Sequence, residues 1–366
     1  MIKKVEIDID VVEMAKIRII NIFKNGIPVV LSISGGKDSI CLTSLIYDLC
    51  REGKIDKSLL TICFIDEEAI YDCVEQIVKE WRLKFLELGV KFDRWCIEVK
   101  HFNCFNTLTQ DESFICWDRY KKDVWVRKKP PFALDNPPDL YARQENYQSF
   151  APRHYKGSCL MMGVRASESL QRSKNIANKR QNNDLKFFPI YDWKDTDVWQ
   201  YIYKNNLNFP NAYIYLYQTG SNRKDMRISQ FFSVDTAKSL VKMNEYYPNL
   251  FDKVCKREPN AYMAMLYFDT ELYRRKKTQT GEKDTIDYKK KVLELMSNEE
   301  FFDTREKKRI LAEVKATCLK YGLVLGPKQW KTAYEILVGG DPKNRTYRSW
   351  ITQIFSNLRK DIEHGK

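Results

Sequence analysis

Six consecutive residues carry groups that together suit a phosphate or a sulfate. They are Ser34, Gly35, Gly36, Lys37, Asp38 and Ser39. An apolar, β-branched run at residues 27–33 precedes them and predicts a strand, and apolar residues at helical spacing follow over 38–50. The start of a helix offers unpaired N–H groups and about half a positive charge. Because glycines let the backbone approach an anion and Lys37 adds a cation, we predict an anion site here.

The hexapeptide differs from two common phosphate-binding motifs. A Walker A loop needs a glycine where Leu31 stands and a Ser or Thr where Asp38 stands. The glycine spacing does not fit the dinucleotide pattern either. The alternative to an anion site is a plain glycine turn between a strand and a helix that happens to contain a lysine.

An acidic side chain follows the second predicted strand. Residues 58–65 form a short apolar run, and Asp66 comes directly after it. Ligands of open α/β sheets bind beyond the carboxyl ends of the strands, so we expect Asp66 to face that crevice and to bind ribose hydroxyls or a metal ion. The alternative is a solvated helix N-terminus, where acidic side chains are favoured in any case.

Two arginines follow a later predicted strand at residues 158–164. Gly163 lies at the end of this strand, Arg165 lies just beyond it, and Arg172 is close behind. An arginine at a strand end that faces the same crevice as Lys37 would bind a phosphate or a sulfate through a forked contact. We therefore predict that Arg165 and Arg172 contact the ligand.

A tryptophan-rich segment occupies residues 188–199 (FPIYDWKDTDVW). It predicts a short strand at 187–190 that leads into a helix near 196–204. Asp195 is the expected N-cap of that helix, and Trp193 and Trp199 are expected in the core. We assign this segment a structural role.

Strand and helix patterns alternate along the first half of the chain. Strands are predicted at 27–33, 58–65, 92–99 and 158–164, and helices at 38–50 and 67–88. This alternation predicts an α/β fold with a parallel twisted sheet and flanking helices. A proline- and aromatic-rich insertion at about 103–156 interrupts the pattern, and we expect little regular structure in it.

The length of 366 residues predicts two domains. Residues 1–205 form the domain that carries the hexapeptide, and residues 206–366 form a mostly helical, basic C-terminal region. Basic stretches at 274–277 and 289–291 have aromatic residues around them, which favours a nucleic-acid surface. The alternative is a solvated face of charged helices.

The composition predicts a basic protein with a sizeable core. Hydrophobic residues make up 43% of the chain, and the formal net charge is +13. This charge favours anionic partners such as nucleotides, nucleic acid or acidic proteins. No run approaches the roughly 20 apolar residues that span a membrane, and acidic residues stand where a signal peptide is apolar. We expect a soluble, cytoplasmic protein with no membrane partner.

The cysteines and histidines give weaker signals. Ten cysteines are scattered and form no C-x-x-C pair, so neither a disulfide framework nor a zinc site is expected. A less favoured hypothesis is that Cys96, Cys104 and Cys116 form a redox set or part of an iron–sulfur site. Their spacings match no known cluster pattern. His101 and His154 are candidates for acid–base chemistry, with a loop or surface role as the alternative.

The hexapeptide resembles the signature of the PP-loop ATP pyrophosphatase superfamily. Together with residues 163–169 (GVRASES) and 188–199, it resembles the phosphoadenosine phosphosulfate (PAPS) reductase-like branch. Residues 114–118 (FICWD) and 125–127 (WVR) are similar to the immunoglobulin-binding regulator A-like subgroup. The resemblance spans roughly residues 15–235. It implies an adenine nucleotide alpha hydrolase-like fold, binding of ATP or PAPS at the loop, and cleavage of ATP to AMP and pyrophosphate.

The chain departs from the PAPS reductases near its C-terminus. Those enzymes carry a Glu-Cys-Gly-Leu-His segment whose cysteine attacks sulfur, whereas here only Cys255 and Cys318 lie beyond residue 205, in other contexts. Basic neighbours are expected to favour a lowered pKa of Cys255, and Cys318 fits a buried helix face. We therefore do not expect classical thiol-dependent PAPS reduction.

Two main functions compete at this point. In the first, an enzyme uses Lys37 and Arg165 as catalytic residues that stabilise charge on the α-phosphate of ATP, with Mg²⁺ bridging the phosphates. Its acceptor is a nucleic acid, a sulfur-containing species or a small acid. In the second, the protein is a non-catalytic adenylyl-nucleotide sensor that acts through a partner protein or DNA.

Overall fold

The fold was obtained as a computed structural model. It describes residues 9–106, 113–168, 172–173, 176, 186–221, 226, 228, 231–232, 244–267, 287–341 and 345–363. The basic stretch predicted at 274–277 lies outside these residues. No helix of the described ranges is both long enough and apolar enough to cross a membrane.

A five-stranded parallel sheet forms the centre of the larger part of the chain. The strands of the described residues, in chain order, are β1 (Val29–Ile33), β2 (Leu60–Ile65), β3 (Lys91–Trp95), β4 (Lys100–Phe102), β5 (Ser113–Ile115), β6 (Cys159–Met162) and β7 (Lys186–Phe187). The sheet order is β3-β2-β1-β6-β7, and β4 and β5 form a separate antiparallel pair. In the register, Val29 lies opposite both Leu60 and Cys159. The central strand β1 is buried at four of its five positions, as expected for a parallel sheet that is covered on both faces.

Twelve α-helices accompany the strands within the described ranges. They are α1 (Val11–Phe23), α2 (Lys37–Arg51), α3 (Asp72–Glu87), α4 (Tyr147–His154), α5 (Asp195–Lys204), α6 (Ala212–Gln218), α7 (Pro248–Arg257), α8 (Asn260–Tyr267), α9 (Tyr288–Ser297), α10 (Arg305–Tyr321), α11 (Pro327–Gly339) and α12 (Arg345–Glu363). Short 3₁₀ turns lie at Lys57–Leu59, Cys104–Asn106, Arg119–Val124, Ala166–Glu168 and Glu299–Phe301. The predicted fold class, a parallel sheet with flanking helices followed by a mostly helical C-terminal region, is confirmed.

The strand order reverses direction at β1. The chain runs from β1 to β2 and β3 on one side of the sheet and then crosses to β6 and β7 on the other side. In open α/β sheets, the crevice at such a reversal lies outside the carboxyl ends of the two strands that flank it. The hexapeptide follows β1, and Gly163 follows β6. The topology therefore brings these two segments to the same edge of the sheet.

The structure differs from the sequence prediction at several element boundaries. Strand β3 ends at Trp95 instead of Val99, and β7 spans Lys186–Phe187 instead of residues 187–190. Helix α3 begins at Asp72 instead of residue 67, because the residues before it form a loop in which the buried Glu68 adopts a φ of 64°. The insertion at 103–156 is more regular than expected, since it contains β5, two helical turns and α4. The N-terminus of α4 has a capping box between Asn146 and Ser149, a signal that the sequence prediction overlooked.

The chain divides into two compact units. The first comprises residues 1–105 and 113–262, and the second comprises residues 106–112 and 263–366. The second unit has a core of its own on α9 to α12. The buried members of that core are Val292, Phe302, Ile310, Leu311, Val314, Cys318, Leu325, Trp330, Ala333, Ile336, Leu337, Trp350 and Ile354. The predicted domain boundary after residue 205 stays a prediction.

Replacing Trp350 by Ala should strongly destabilise the second unit. The Trp350 side chain is fully buried, so its loss leaves a cavity that typically costs about 3–5 kcal/mol of unfolding free energy. Phe355 on the same helix is 53% exposed and provides the matched control, since Phe355→Ala should change stability far less. Chemical denaturation of both variants measures the difference, and equal losses would contradict the assigned core.

Candidate functional site

The hexapeptide folds as a tight turn onto the N-terminus of α2. Gly35 has a φ of 71°, and a Cβ atom at this position would lie 2.8 Å from Val74 Cγ1. Both facts require glycine. Gly36 is the N-cap of α2 and has no side chain that could accept the N–H groups of the first turn. The Ser34 N–H donates to Ser39 Oγ at 3.0 Å. The turn thus presents a helix N-terminus beside Lys37, which is the arrangement predicted for an anion site.

The side chain of Lys37 is buried between an acid and two aromatic rings. Its Nζ lies 2.6 Å from Asp195 Oδ1. The same atom lies 5.4 Å from the ring centroid of Trp199 and 5.7 Å from that of Tyr213. The backbone N–H of Lys37 donates to the Tyr213 hydroxyl at 3.1 Å. Oxygen atoms of α5 and α6 therefore contact both the ammonium group and the backbone amide of Lys37.

Arg165 lies on the other side of the same carboxylate. Its guanidinium is buried and pairs with Asp38, and its Nη2 lies 3.5 Å from Asp195 Oδ1. Its Nη1 donates to Ser167 Oγ at 3.3 Å. The structure thus brings Lys37 and Arg165, the two residues predicted to be catalytic, to one oxygen atom of Asp195.

Gly163 explains how Arg165 is held close to the hexapeptide. A Cβ atom on Gly163 would lie 2.9 Å from the backbone oxygen of Asp38 and 3.0 Å from Ser39 Cα. The chain after β6 therefore packs directly against the first turn of α2, and only a residue without a side chain fits. Arg172, the other arginine predicted to contact the ligand, pairs with Glu168, and its contact with a ligand stays a prediction. The Glu168 carboxylate also accepts the backbone N–H of Arg165 at 3.2 Å.

Asp66 is placed in a buried ion-pair cluster. Its side chain has no exposed surface, and its Oδ2 accepts from Arg94 Nη2 at 2.6 Å while Oδ1 pairs with Arg127. Glu75 pairs with the same two arginines at 3.0 and 2.8 Å. The alternative of a solvated helix end does not hold, because burial separates Asp66 from water. Its predicted contact with ribose or a metal ion stays a prediction.

A second buried cluster adjoins the first and involves residues that the sequence prediction did not select. Glu68 pairs with Arg257 at 2.9 Å and accepts the backbone N–H groups of Trp117 and Val126. Burial raises the pKa of Glu68, and the nearby Arg257 opposes that shift. One signal was available in the sequence for the first cluster: Arg94 lies in a predicted buried strand beside Trp95, and a charge in such a position needs a partner.

A cavity of about 430 Å³ opens beside Lys37. Its lining consists of Lys37, Asp195, Thr196, Trp199, Phe209, Tyr213, Ile214, Tyr217 and Met226.

Two predictions for the segment at residues 188–199 were wrong. Lys194 is the N-cap of α5, so Asp195 is free to turn its carboxylate towards Lys37. Trp199 lines the cavity instead of the core, whereas Trp193 is fully buried as predicted.

The cysteines offer no activated thiol at the positions considered. Burial and the nearby Asp252 raise the pKa of Cys255 to about 11, which is the opposite of the expected shift. Burial raises the pKa of Cys318 to about 11 as well. Cys96, Cys104 and Cys116 are all buried. In the described part of the chain, no group of three His, Cys, Asp or Glu side chains is arranged to hold a metal ion.

Residues 28–257 match the family model of the phosphoadenosine phosphosulfate reductase domain. This match covers more than half of the chain, and the chain therefore belongs to that family.

Individual similar proteins are more distant. The uncharacterized protein YbdN of Escherichia coli K12 is 27% identical over 293 residues, which cover 73% of this chain and 70% of YbdN. The uncharacterized protein MJ0973 of Methanocaldococcus jannaschii is 31% identical over 105 residues, or 28% of this chain and 24% of MJ0973. The phosphate complex of the Candida auris PAPS reductase is 13% identical with a TM-score of 0.34, covering 62% of this chain and 90% of that one. A similarity at that level carries no conclusion about activity.

His101 gives the first unit a pH-dependent stability. Its ring stacks on Tyr147 with centroids 5.1 Å apart, and burial lowers its pKa from 6.5 to about 4. Between these pH values the unfolded chain binds a proton that the folded chain does not bind, so stability should decrease as the pH falls from about 6.5 to 4. His101→Phe should remove this component while keeping an aromatic ring. Melting temperatures measured across this range test it, and parallel pH profiles for the two proteins would refute it.

Proposed function

We propose that this member of the phosphoadenosine phosphosulfate reductase domain family binds ATP or a related adenylyl nucleotide at residues 34–39. We further propose that it cleaves ATP at the α-phosphate, which yields AMP and pyrophosphate and activates an acceptor. The observation that supports this proposal is the convergence of Lys37 and Arg165 on one anionic oxygen beside a helix N-terminus whose N-cap is a glycine. Two cations and a helix N-terminus directed at one position suit a phosphoryl group.

The Asp195 carboxylate occupies the place that this proposal gives to a phosphoryl oxygen. Both groups are anionic oxygen acceptors, and both satisfy a buried ammonium group. Asp195 is partly exposed, so it can turn away to solvent when a phosphate takes its position. The Tyr213 hydroxyl would in the same way release the backbone amide of Lys37. Binding thus exchanges internal acceptors for those of the ligand.

In the proposed reaction, these side chains stabilise developing charge. An acceptor atom forms a bond to the α-phosphorus, the bond from that phosphorus to the pyrophosphate oxygen breaks, and any proton on the acceptor atom passes to the departing pyrophosphate. This leaves an adenylylated acceptor, and AMP is released when a second nucleophile displaces it. Lys37 and Arg165 hold the oxygens on which negative charge increases. Their burial keeps water away, which strengthens this interaction. Neither residue needs to transfer a proton.

The carboxylates of Asp38 and Asp195 suit a magnesium ion that accompanies the nucleotide. Oxygen is the ligand that Mg²⁺ prefers, and both side chains lie beside the proposed phosphate position. The ion would supply charge neutralisation between phosphate oxygens. Asp38 and Asp195 would orient it, and they would then no longer be paired with Arg165 and Lys37.

A non-catalytic nucleotide sensor is the second candidate, and one observation favours it. Both cations of the site are already paired with carboxylates of the chain itself, so ligand binding exchanges partners and can be read out as a conformational change. As part of this second proposal, the protein is a member of the immunoglobulin-binding regulator A-like subgroup. Classical PAPS reduction is disfavoured by the raised pKa of Cys255.

Lys37→Ala should abolish cleavage of ATP to AMP and pyrophosphate, because it removes the buried cation at the proposed phosphate position. The measurement is binding of ATP, adenylylsulfate and PAPS with and without Mg²⁺, followed by chromatography of the products. Lys54→Ala is the matched control, since Lys54 is exposed and pairs with the exposed Glu52. It should behave as the unmodified protein.

Each result of this experiment has a distinct meaning. Tight binding of a nucleotide that is recovered intact supports the sensor. Thiol-dependent release of sulfite from PAPS, lost in Cys255→Ser, would restore the reductase hypothesis. Failure of all three nucleotides to bind would refute the nucleotide site itself.

Asp195→Asn should tighten binding of ATP in the absence of Mg²⁺, by roughly threefold to tenfold. The substitution removes a negative charge that competes with phosphate for Lys37 and Arg165. With Mg²⁺ the gain should shrink, because a carboxylate ligand of the ion is lost. Asp197→Asn is the control, since Asp197 carries the same charge on the same helix but accepts from the backbone of Lys194. Equal effects of the two substitutions would show that Asp195 does not compete for the phosphate position.

A further inference from the structure

The cavity beside Lys37 has aromatic walls, which the proposed phosphate site does not require. Trp199 stands at the centre of its aromatic wall. The Trp199 ring meets Phe209 edge to face with centroids 5.3 Å apart, and it meets Tyr213 in the same way at 5.6 Å. Aromatic rings fixed against one another form a stiff surface, and a flat ligand ring can stack on it with little loss of side-chain freedom.

The rim of this cavity exposes apolar surface that the fold itself does not use. Ile214 is 46% exposed and Tyr217 is 69% exposed, and both lie on α6. Exposed apolar groups that cluster at a concave site often mark a ligand site. The polar groups of the cavity are Lys37, Asp195 and Thr196. A ligand that fits has flat apolar faces and a polar edge.

Lys37 belongs to both the cavity and the phosphate loop. Its Nζ lies 5.4 Å from the Trp199 ring, while its backbone begins α2. An occupant of the cavity therefore lies next to the anion that the loop is proposed to bind. A nucleobase that is joined through its sugar to a phosphate combines a flat ring, a polar edge and an anion at this separation.

We propose that this cavity is a stacking site for a nucleobase. The base is either that of the bound nucleotide or one from a nucleic acid strand whose reacting group approaches the nucleotide. Trp199 and Tyr217 supply the stacking surface, and the Thr196 hydroxyl is the polar group that contacts the edge of the base. The position of the phosphate rests on the proposed function, whereas the stacking surface does not.

The test uses the full-length chain with two substitutions in the cavity and one outside it. Tyr217→Ser and Trp199→Leu remove stacking surface, and Tyr217 is exposed enough that its loss should not affect folding. Tyr203→Ser is the matched control, because Tyr203 is an 86% exposed tyrosine on the neighbouring helix α5 and does not line the cavity. The probes are ATP, inorganic tripolyphosphate and a single-stranded 12-nucleotide oligomer of mixed sequence.

Stacking on one aromatic side chain contributes enough that its removal should weaken binding about tenfold. If the base of the nucleotide occupies the cavity, both cavity variants bind ATP about tenfold more weakly and bind tripolyphosphate unchanged. If a strand base occupies it, ATP affinity is unchanged and oligomer affinity falls about tenfold. Tyr203→Ser should match the unmodified protein for every probe.

The proposal is overturned if both cavity variants bind ATP and the oligomer as tightly as the unmodified protein does. It is also overturned if the unmodified protein binds neither probe. A failure of the proposed function can be told apart from a failure of the stacking site. If ATP does not bind to the unmodified protein, the nucleotide site is refuted while the oligomer still tests the cavity. If Lys37→Ala weakens ATP binding while neither cavity variant weakens binding of ATP or of the oligomer, the nucleotide site stands and the stacking site does not.

Discussion

A buried ammonium group needs an anion, and much of the site follows from that requirement at Lys37. The Asp195 carboxylate meets it across 158 positions of sequence, and it meets the guanidinium of Arg165 as well. The helix that carries Asp195 must therefore lie against the N-terminus of α2. That placement in turn forms the cavity between α2, α5 and α6. A single charge pairing links the loop, the arginine and the cavity.

The insertion between β3 and β6 is held by a different set of charges. Asp66 and Glu68, just beyond β2, bind Arg127 from the insertion and Arg257 from α7. Removing one partner of a buried pair leaves an uncompensated charge, which is strongly destabilising. Such a network specifies where the insertion lies although little of it is helix or strand. Arg127 thus anchors the insertion.

The sequence was sufficient for the sheet and for the loop, because both depend on local patterns. Apolar runs set the strands, and the glycines at the end of β1 set the turn. Pairing between distant side chains was not predictable in this way. Asp195 has the sequence context of a helix cap, and Trp199 has the spacing of a core residue. Their actual positions depend on Lys37, which lies on another element. Asp66 likewise differs from a solvated acid only because Arg94 and Arg127 are folded against it.

The contact between Gly163 and the first turn of α2 is made by backbone atoms, with no flexible side chain in between. The end of strand β6 and the first turn of helix α2 are therefore packed rigidly together at this edge of the sheet. This contact fixes the main chain of Gly163, two residues before Arg165, against the first turn of α2, which begins at Lys37. In the proposed anion site, adaptation to a ligand therefore falls to the side chains and to helices α5 and α6.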